Sequence, residues 1–127
     1  IEKLKIFDLE LNNINRIADI YTKNINKKYK KGYIPNNYKS SWAQYSILTK
    51  NGNQRDKAIE HLNSSTIPAM IYYKTPLHLM KAFKSLNYKI GDFINSENIS
   101  TRIFSIPFHP YLSENDQNLI IETLNSF

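Results

Sequence analysis

Three histidines, His61, His78 and His109, are the side chains best suited to proton transfer near neutral pH, and they stand 17 and 31 residues apart. No pair has the i, i+4 spacing that puts two imidazoles on one helix face for a metal. No carboxylate stands where it would complete such a site. The chain has no cysteine, which excludes a zinc-thiolate site, a thiol nucleophile and a disulfide framework. It has no Gly-x-Ser-x-Gly elbow for a serine nucleophile, and its three glycines are too few for a glycine-rich phosphate loop. His61 follows Glu60 on a predicted surface helix and reads as solvated. His78 and His109 lie close to prolines at the ends of predicted strands, where loops carry function. These residues alone do not describe an autonomous active site.

The densest polar and aromatic cluster is Tyr72-Tyr73-Lys74-Thr75-Pro76-Leu77-His78. On a strand, successive side chains point to opposite faces, so one tyrosine is expected in the core and the other toward a cleft or solvent. Tyrosine offers a flat apolar face for stacking and a hydroxyl for hydrogen bonding, which suits a nucleotide-like ligand. The same residues equally describe a strand end whose tyrosines fill the edge of the core.

The elements that must position this cluster follow from periodicity. Leu4, Phe7, Leu11, Ile14, Ala18, Tyr21 and Ile25 recur at spacings of 3 and 4, the stripe of an amphipathic helix. The lysines from Lys27 to Lys31 suit its negative end and Gly32 supplies a stop, so a long helix is expected over residues 1–31. The first residue is Ile1 and already lies in this pattern, so the chain reads as a piece of something longer. Turn formers Gly32, Pro35, Asn36 and Asn37 make a connection. Strands are expected over 42–49, 67–73 and 104–106, with helices over 55–63, 78–86 and 96–103 between and after them. Ser113 with Asp116 three residues on resembles a capping box for a final helix whose apolar face is Leu119, Ile120, Leu124 and Phe127. This order predicts an α+β domain of two layers: about three short, mostly antiparallel strands with helices on one side, preceded by the long N-terminal helix.

Composition narrows the partners. The 127 residues fit one domain, and 41% hydrophobic residues suffice for a core. The formal charge is +6, but 14 of the 17 basic residues are lysine, whereas bidentate recognition of phosphate and bases favours arginine. Isoleucine, asparagine and lysine dominate, and all three have AT-rich codons, so codon bias accounts for the charge without a nucleic-acid surface. No apolar run reaches the roughly 18 residues of a membrane span. The expectation is a cytoplasmic protein with neither nucleic acid nor membrane as partner.

Taken together, Ser41-Trp42-Ala43-Gln44-Tyr45, Arg55-Asp56, Tyr72 to Leu79, Gly91-Asp92-Phe93 and Ser105-Ile106-Pro107-Phe108-His109-Pro110 carry a resemblance. In order and spacing they resemble the carboxy-terminal portion of the pyridoxal-phosphate-dependent nucleotide-sugar aminotransferases of the DegT type. The resemblance covers essentially the whole chain. The opening Lys3-Leu4-Lys5-Ile6-Phe7-Asp8 is similar to the helix joining that family's two domains. The resemblance divides the chain into a linking helix (1–31) and a small C-terminal domain (32–127), with the large cofactor-binding domain absent. The Trp-Ala-Gln-Tyr stretch is similar to the branch acting on UDP-linked 2-acetamido sugars for surface polysaccharide biosynthesis.

That resemblance implies a fold-type I enzyme, homodimeric when complete, in which a lysine of the large domain holds pyridoxal phosphate. An amino donor would load the cofactor, and a nucleotide-linked keto-sugar would accept the amine. The family's cofactor lysine matches no lysine here, so no catalytic or cofactor-binding residue is carried over, and the chain alone is expected neither to bind pyridoxal phosphate nor to transaminate. Tyr72, Tyr73 and His78 match the family's substrate-facing stretch and are the expected substrate-binding residues. Lys74 and Ile94 replace prolines common in the family, removing a fixed φ at each. Ile106 and Phe108 replace leucine and methionine. Two other readings stand beside this one: a non-catalytic remnant or split-gene subunit that docks to a separate large domain, and a basic nucleic-acid module.

Overall fold

A four-residue alternation sets the sheet. The computed structural model describes residues 1–127, and in it β2 (Tyr45–Leu48) pairs antiparallel with β3 (Ile103–Ile106). The register sets Tyr45 opposite Ile106 and Ile47 opposite Phe104, so four buried side chains share one face. That face joins Ile17 and Tyr21 of α2 (Phe7–Asn24), Ala58 and Leu62 of α3 (Gly52–Ser64), and Ile120 and Leu124 of α5 (Glu114–Ser126) in one core. Each large apolar side chain buried there contributes about 1.5–3 kcal/mol by leaving water. A third strand, β1 (Lys30–Lys31), pairs antiparallel with the other edge of β2. The expected α+β architecture with three short antiparallel strands is the one observed.

Polar groups inside this core are matched. The Tyr21 hydroxyl donates to the carbonyl of Pro107 at 2.9 Å, and burial pushes that phenol well above its ordinary pKa. The Tyr45 hydroxyl pairs with Thr22 Oγ1 at 2.8 Å, and Gln117 Nε2 donates to the Ile17 carbonyl at 2.8 Å. Trp42 stacks on Tyr45 with ring centroids 5.5 Å apart, and its Nε1 donates to Asn15 Oδ1. No buried side-chain nitrogen or oxygen lacks a partner.

Several elements depart from expectation for identifiable reasons. The long helix is interrupted at Ile6, which separates α1 (Glu2–Lys5) from α2, and α2 ends at Asn24, not in the 27–31 lysine run. Asn125 of α5 causes the early stop: its Nδ2 donates to the Asn24 carbonyl while its Oδ1 accepts from the Asn26 amide. Ile25 can then turn out as extended backbone and bury its side chain. Residues 30–31, expected to be helical, become β1.

The expected strand over 67–73 is reduced to one bridge, Met70 to Ser105. Pro68 has no amide to give a ladder, and the chain turns away after Ile71. The expected helix over 78–86 is two 3₁₀ segments, Leu77–Leu79 and Lys81–Leu86, neither with a buried residue. A short helix without a buried face lacks the packing that would hold it in α form. The remaining elements match in kind, with α3 beginning at Gly52 behind the Asn51 cap and α4 spanning Ile94–Arg102. Ser113 caps α5 by accepting from the Asp116 amide. No helix is long and apolar enough to cross a membrane.

Two close approaches fix the periphery. Arg55 is buried, and its Nη1 donates to the Ser100 carbonyl in the last turn of α4 at 3.1 Å, placing positive charge at the negative end of that helix. Gly52, opening α3, lies so near α4 that a Cβ there would sit 2.9 Å from the Thr101 carbonyl oxygen. At the other end of the molecule, buried Glu10 accepts hydrogen bonds from Lys3 and from the hydroxyl of Tyr111. Those two bonds, Lys3 first, hold its carboxyl below the ordinary range against the opposing effect of burial.

Gly52→Ala is expected to lower stability by about 1–3 kcal/mol, because backbone must shift to admit the methyl group. Urea denaturation monitored by Trp42 fluorescence measures this; an unchanged midpoint would mean that the α3–α4 contact relaxes freely. The Glu10 clasp predicts an acid effect with a definite sign. A depressed carboxyl pKa lends stability that is whole above the unfolded value, about 4.3, and is lost as pH falls through the folded value. Lowering pH from about 6 to about 3 should therefore accelerate amide exchange across residues 1–9, after correction for intrinsic rates, with β2 and β3 unaffected. Glu10→Gln should abolish the pH dependence; an equal response in that variant would assign it to other carboxylates.

Candidate functional site

The largely apolar cleft at the edge of the sheet begins where β3 loses its last partner. Met70 exchanges both backbone hydrogen bonds with Ser105, at 3.0 and 2.7 Å, and the chain then leaves the sheet. Residues 72–80 form one wall of a cleft of about 690 Å³, and α4 with the start of β3 forms the other. Tyr72, Tyr73, Leu77 and Met80 face Ile99 and Ile103 across it. The peptide between the two tyrosines is cis, and their rings meet edge to face at 5.7 Å.

Neither tyrosine enters the core: Tyr72 is 37% exposed and Tyr73 67%. The expected split between core and cleft fails because the strand ends before either residue, so the two-residue alternation no longer applies. What they line is a largely apolar cleft, to which they bring two aromatic rings and two phenol groups. Such a surface can stack a flat ring and donate or accept hydrogen bonds. The cleft is lined by no Lys, Arg, His, Asp or Glu, so it carries no charge to bind a phosphate.

His78 is not brought together with the tyrosines. Its ring lies behind the wall, 4.7 Å from Phe93 and 6.5 Å from Tyr88 by ring centroids, and its side chain is 8% exposed. Its Nε2 lies 3.1 Å from Glu97 Oε1. Glu97 in turn accepts from the Gly91 amide at 2.9 Å and the Phe93 amide at 3.3 Å. Burial pushes the Glu97 carboxyl up, but the Gly91 and Phe93 amides and His78 outweigh it and hold the pKa below the ordinary range. Sequence reasoning missed Glu97 because nothing local distinguishes it from any acidic residue in the first turn of a helix.

The other singled-out residues have structural partners. His61, expected to be solvated, is half-buried, with Nε2 3.0 Å from the Thr123 carbonyl near the end of α5. His109 is exposed and accepts from the Tyr111 amide through Nδ1. Trp42 and Tyr45 of the Trp-Ala-Gln-Tyr stretch pack against the core, and Gln44 accepts from Ser105 Oγ. No three His, Asp or Glu side chains gather as a metal site would require. No lysine lines the cleft, and the least exposed, Lys31, donates to the Ile25 carbonyl. The residues present do not fit covalent attachment of pyridoxal phosphate.

Comparison with known proteins places this geometry. The sequence model of the DegT/DnrJ/EryC1/StrS aminotransferase family matches residues 1–125. A pleiotropic regulatory protein of Geobacillus stearothermophilus is 34% identical over 84 residues, covering 66% of this chain and 22% of the relative. A DegT DnrJ EryC1 StrS aminotransferase from Brucella abortus superposes with a TM-score of 0.89 at 41% identity, covering 99% of this chain and 33% of that one. The PLP form of the putative sugar aminotransferase Spr1654 from Streptococcus pneumoniae superposes at 0.85 with 22% identity, a likeness of fold, over 97% of this chain and 32% of that one. The chain thus spans between a fifth and a third of the length of these relatives. With its sequence matched over residues 1–125 and its fold over 99% of its length, the chain belongs to the DegT/DnrJ/EryC1/StrS aminotransferase family.

Proposed function

We propose that this chain is the linking segment (1–31), helical only as far as Asn24, and small C-terminal domain (32–127) of a pyridoxal-phosphate-dependent aminotransferase. Its substrate is a nucleotide-linked keto-sugar, of the UDP-linked 2-acetamido class, used in the cytoplasm for surface polysaccharide synthesis. The observation that carries the reading is the tyrosine-lined cleft between residues 72–80 and α4 with the start of β3, in a chain of this family. Pyridoxal phosphate supplies the electron sink for amino transfer, and the large domain of a homodimeric intact protein would hold it, since no lysine here suits the task. The role left to this chain is binding and orientation.

Tyr73 presents its ring to stack on a flat group of the substrate, and Tyr72 braces it edge to face. Leu77, Met80 and Ile99 keep water from the stacked group. The diphosphate must find its cations elsewhere in the intact protein, because the cleft lining offers none. His78 serves through the wall it supports. A second reading, a subunit that docks to a separately encoded large domain, draws support from the apolar start of the helix pair, where Leu4, Phe7 and Leu9 are 73%, 47% and 60% exposed.

In the intact protein, Tyr73→Ala is expected to raise KM for the nucleotide-sugar about three- to tenfold, with the affinity for pyridoxal phosphate unchanged. Tyr73→Phe should retain most of the affinity if stacking dominates. Equal nucleotide-sugar KM values in Tyr73→Ala and the parent would overturn the assignment.

A further inference from the structure

The wall that carries the tyrosines is held in an unusual way. Between residues 72–86 and α4 there is one hydrogen bond, from His78 to Glu97. The remaining backbone hydrogen bonds of this stretch are short turns within it or to Asn87. Neither 3₁₀ segment buries a residue, so packing into the main core does not hold the wall either. The same Oε1 that His78 approaches also accepts from the Gly91 and Phe93 amides of the loop that follows. Gly91 has φ +99°, the left-handed region, which turns its amide toward Glu97. Phe93 then packs on both His78 and Tyr88 behind the wall, and with them lines a second, smaller apolar cavity.

Glu97 sits on α4 between wall-lining neighbours: Ser96, Ile99 and Ser100 all face the cleft. His78 follows Leu77 on the opposite wall. The bond between them therefore spans the two sides of the cleft and sets their separation. We propose that Glu97 is a positioning residue for the nucleotide-sugar site: it gathers His78, Gly91 and Phe93 onto one carboxylate and so fixes the tyrosine-bearing wall against α4. The inference rests on the reading of the cleft given above. Glu97 itself touches no substrate in this scheme; it acts through His78 and Leu77.

The test uses the intact protein, with UDP-N-acetylglucosamine as calorimetric probe, and compares Glu97→Ala, Glu97→Gln and Tyr73→Ala. Glu97→Ala is expected to weaken probe binding about five- to tenfold and to speed amide exchange across 77–93 at least about tenfold. The absorption spectrum of the bound cofactor and amide protection in β2 and α5 should not change. Glu97→Gln keeps an oxygen for the two amides and a group that can bond neutral His78, so it should bind within about twofold of the parent. Should Glu97→Ala fail to fold, His78→Leu removes the same link and is expected to weaken binding about two- to threefold. Weaker binding in Tyr73→Ala with parental binding in Glu97→Ala, or in its His78→Leu substitute, would overturn the positioning role and leave the cleft assignment standing. Parental binding in both Tyr73→Ala and the Glu97 variant would overturn the cleft assignment and the positioning role with it.

Discussion

Tyr21 is the point from which the rest of the fold is strung. Its ring is fully buried between α2 and the sheet, 5.1 Å from Tyr45 and 6.3 Å from Phe108. Its hydroxyl cannot be left dry without a partner, and the Pro107 carbonyl is the one it takes. That single bond joins residues 86 positions apart and dictates where the chain goes as it leaves β3. Once β3 is placed, its register fixes β2, and Met70 can find Ser105 on the remaining edge. The start of the cleft is therefore a consequence of one buried phenol satisfying its hydrogen bond.

The molecule divides its stabilising interactions unequally. The layer of α2, α3, α5 and sheet carries the buried apolar residues, and hydrogen bonds inside it pair at short distances. The stretch from Tyr72 to Phe93 carries none of the core and depends on one carboxylate and a small aromatic cluster. Segments that close around ligands are drawn from such low-stability regions, because they must rearrange without unfolding the domain. The rigid part positions; the lightly held part receives.

Legibility from sequence followed the same division. The stripe was legible as one apolar face, but not what covers it: Ile14, Ala18, Tyr21 and Ile25 are buried in the domain's own core. Leu4 and Phe7, at its start, are exposed as a docking face would be, and the stop at Asn24, which the stripe did not foretell, involves Asn125 from the far end of the chain. The Ser113 cap was legible because a capping box is complete within four residues. The tyrosines were found as a cluster, but their orientation was misjudged, since alternation holds only while a strand lasts. Glu97 left no mark in the sequence at all, because its three partners come from two different segments and meet only in the folded chain.

The sheet also has a quality that its topology alone would not predict. An open three-stranded sheet offers two rows of unpaired backbone groups, and such rows invite neighbouring molecules to add strands and aggregate. Here the β1 edge is two residues long and both are lysine, whose charges repel an identical edge. The β3 edge is covered at its centre by Met70 and flanked by Pro68 and Pro107, which have no amide to donate. The same lysine-rich composition that says little about a binding partner thus keeps the domain from polymerising through its sheet. A neighbour adding a strand here would have to displace Met70 from β3 or pair along two lysines of β1.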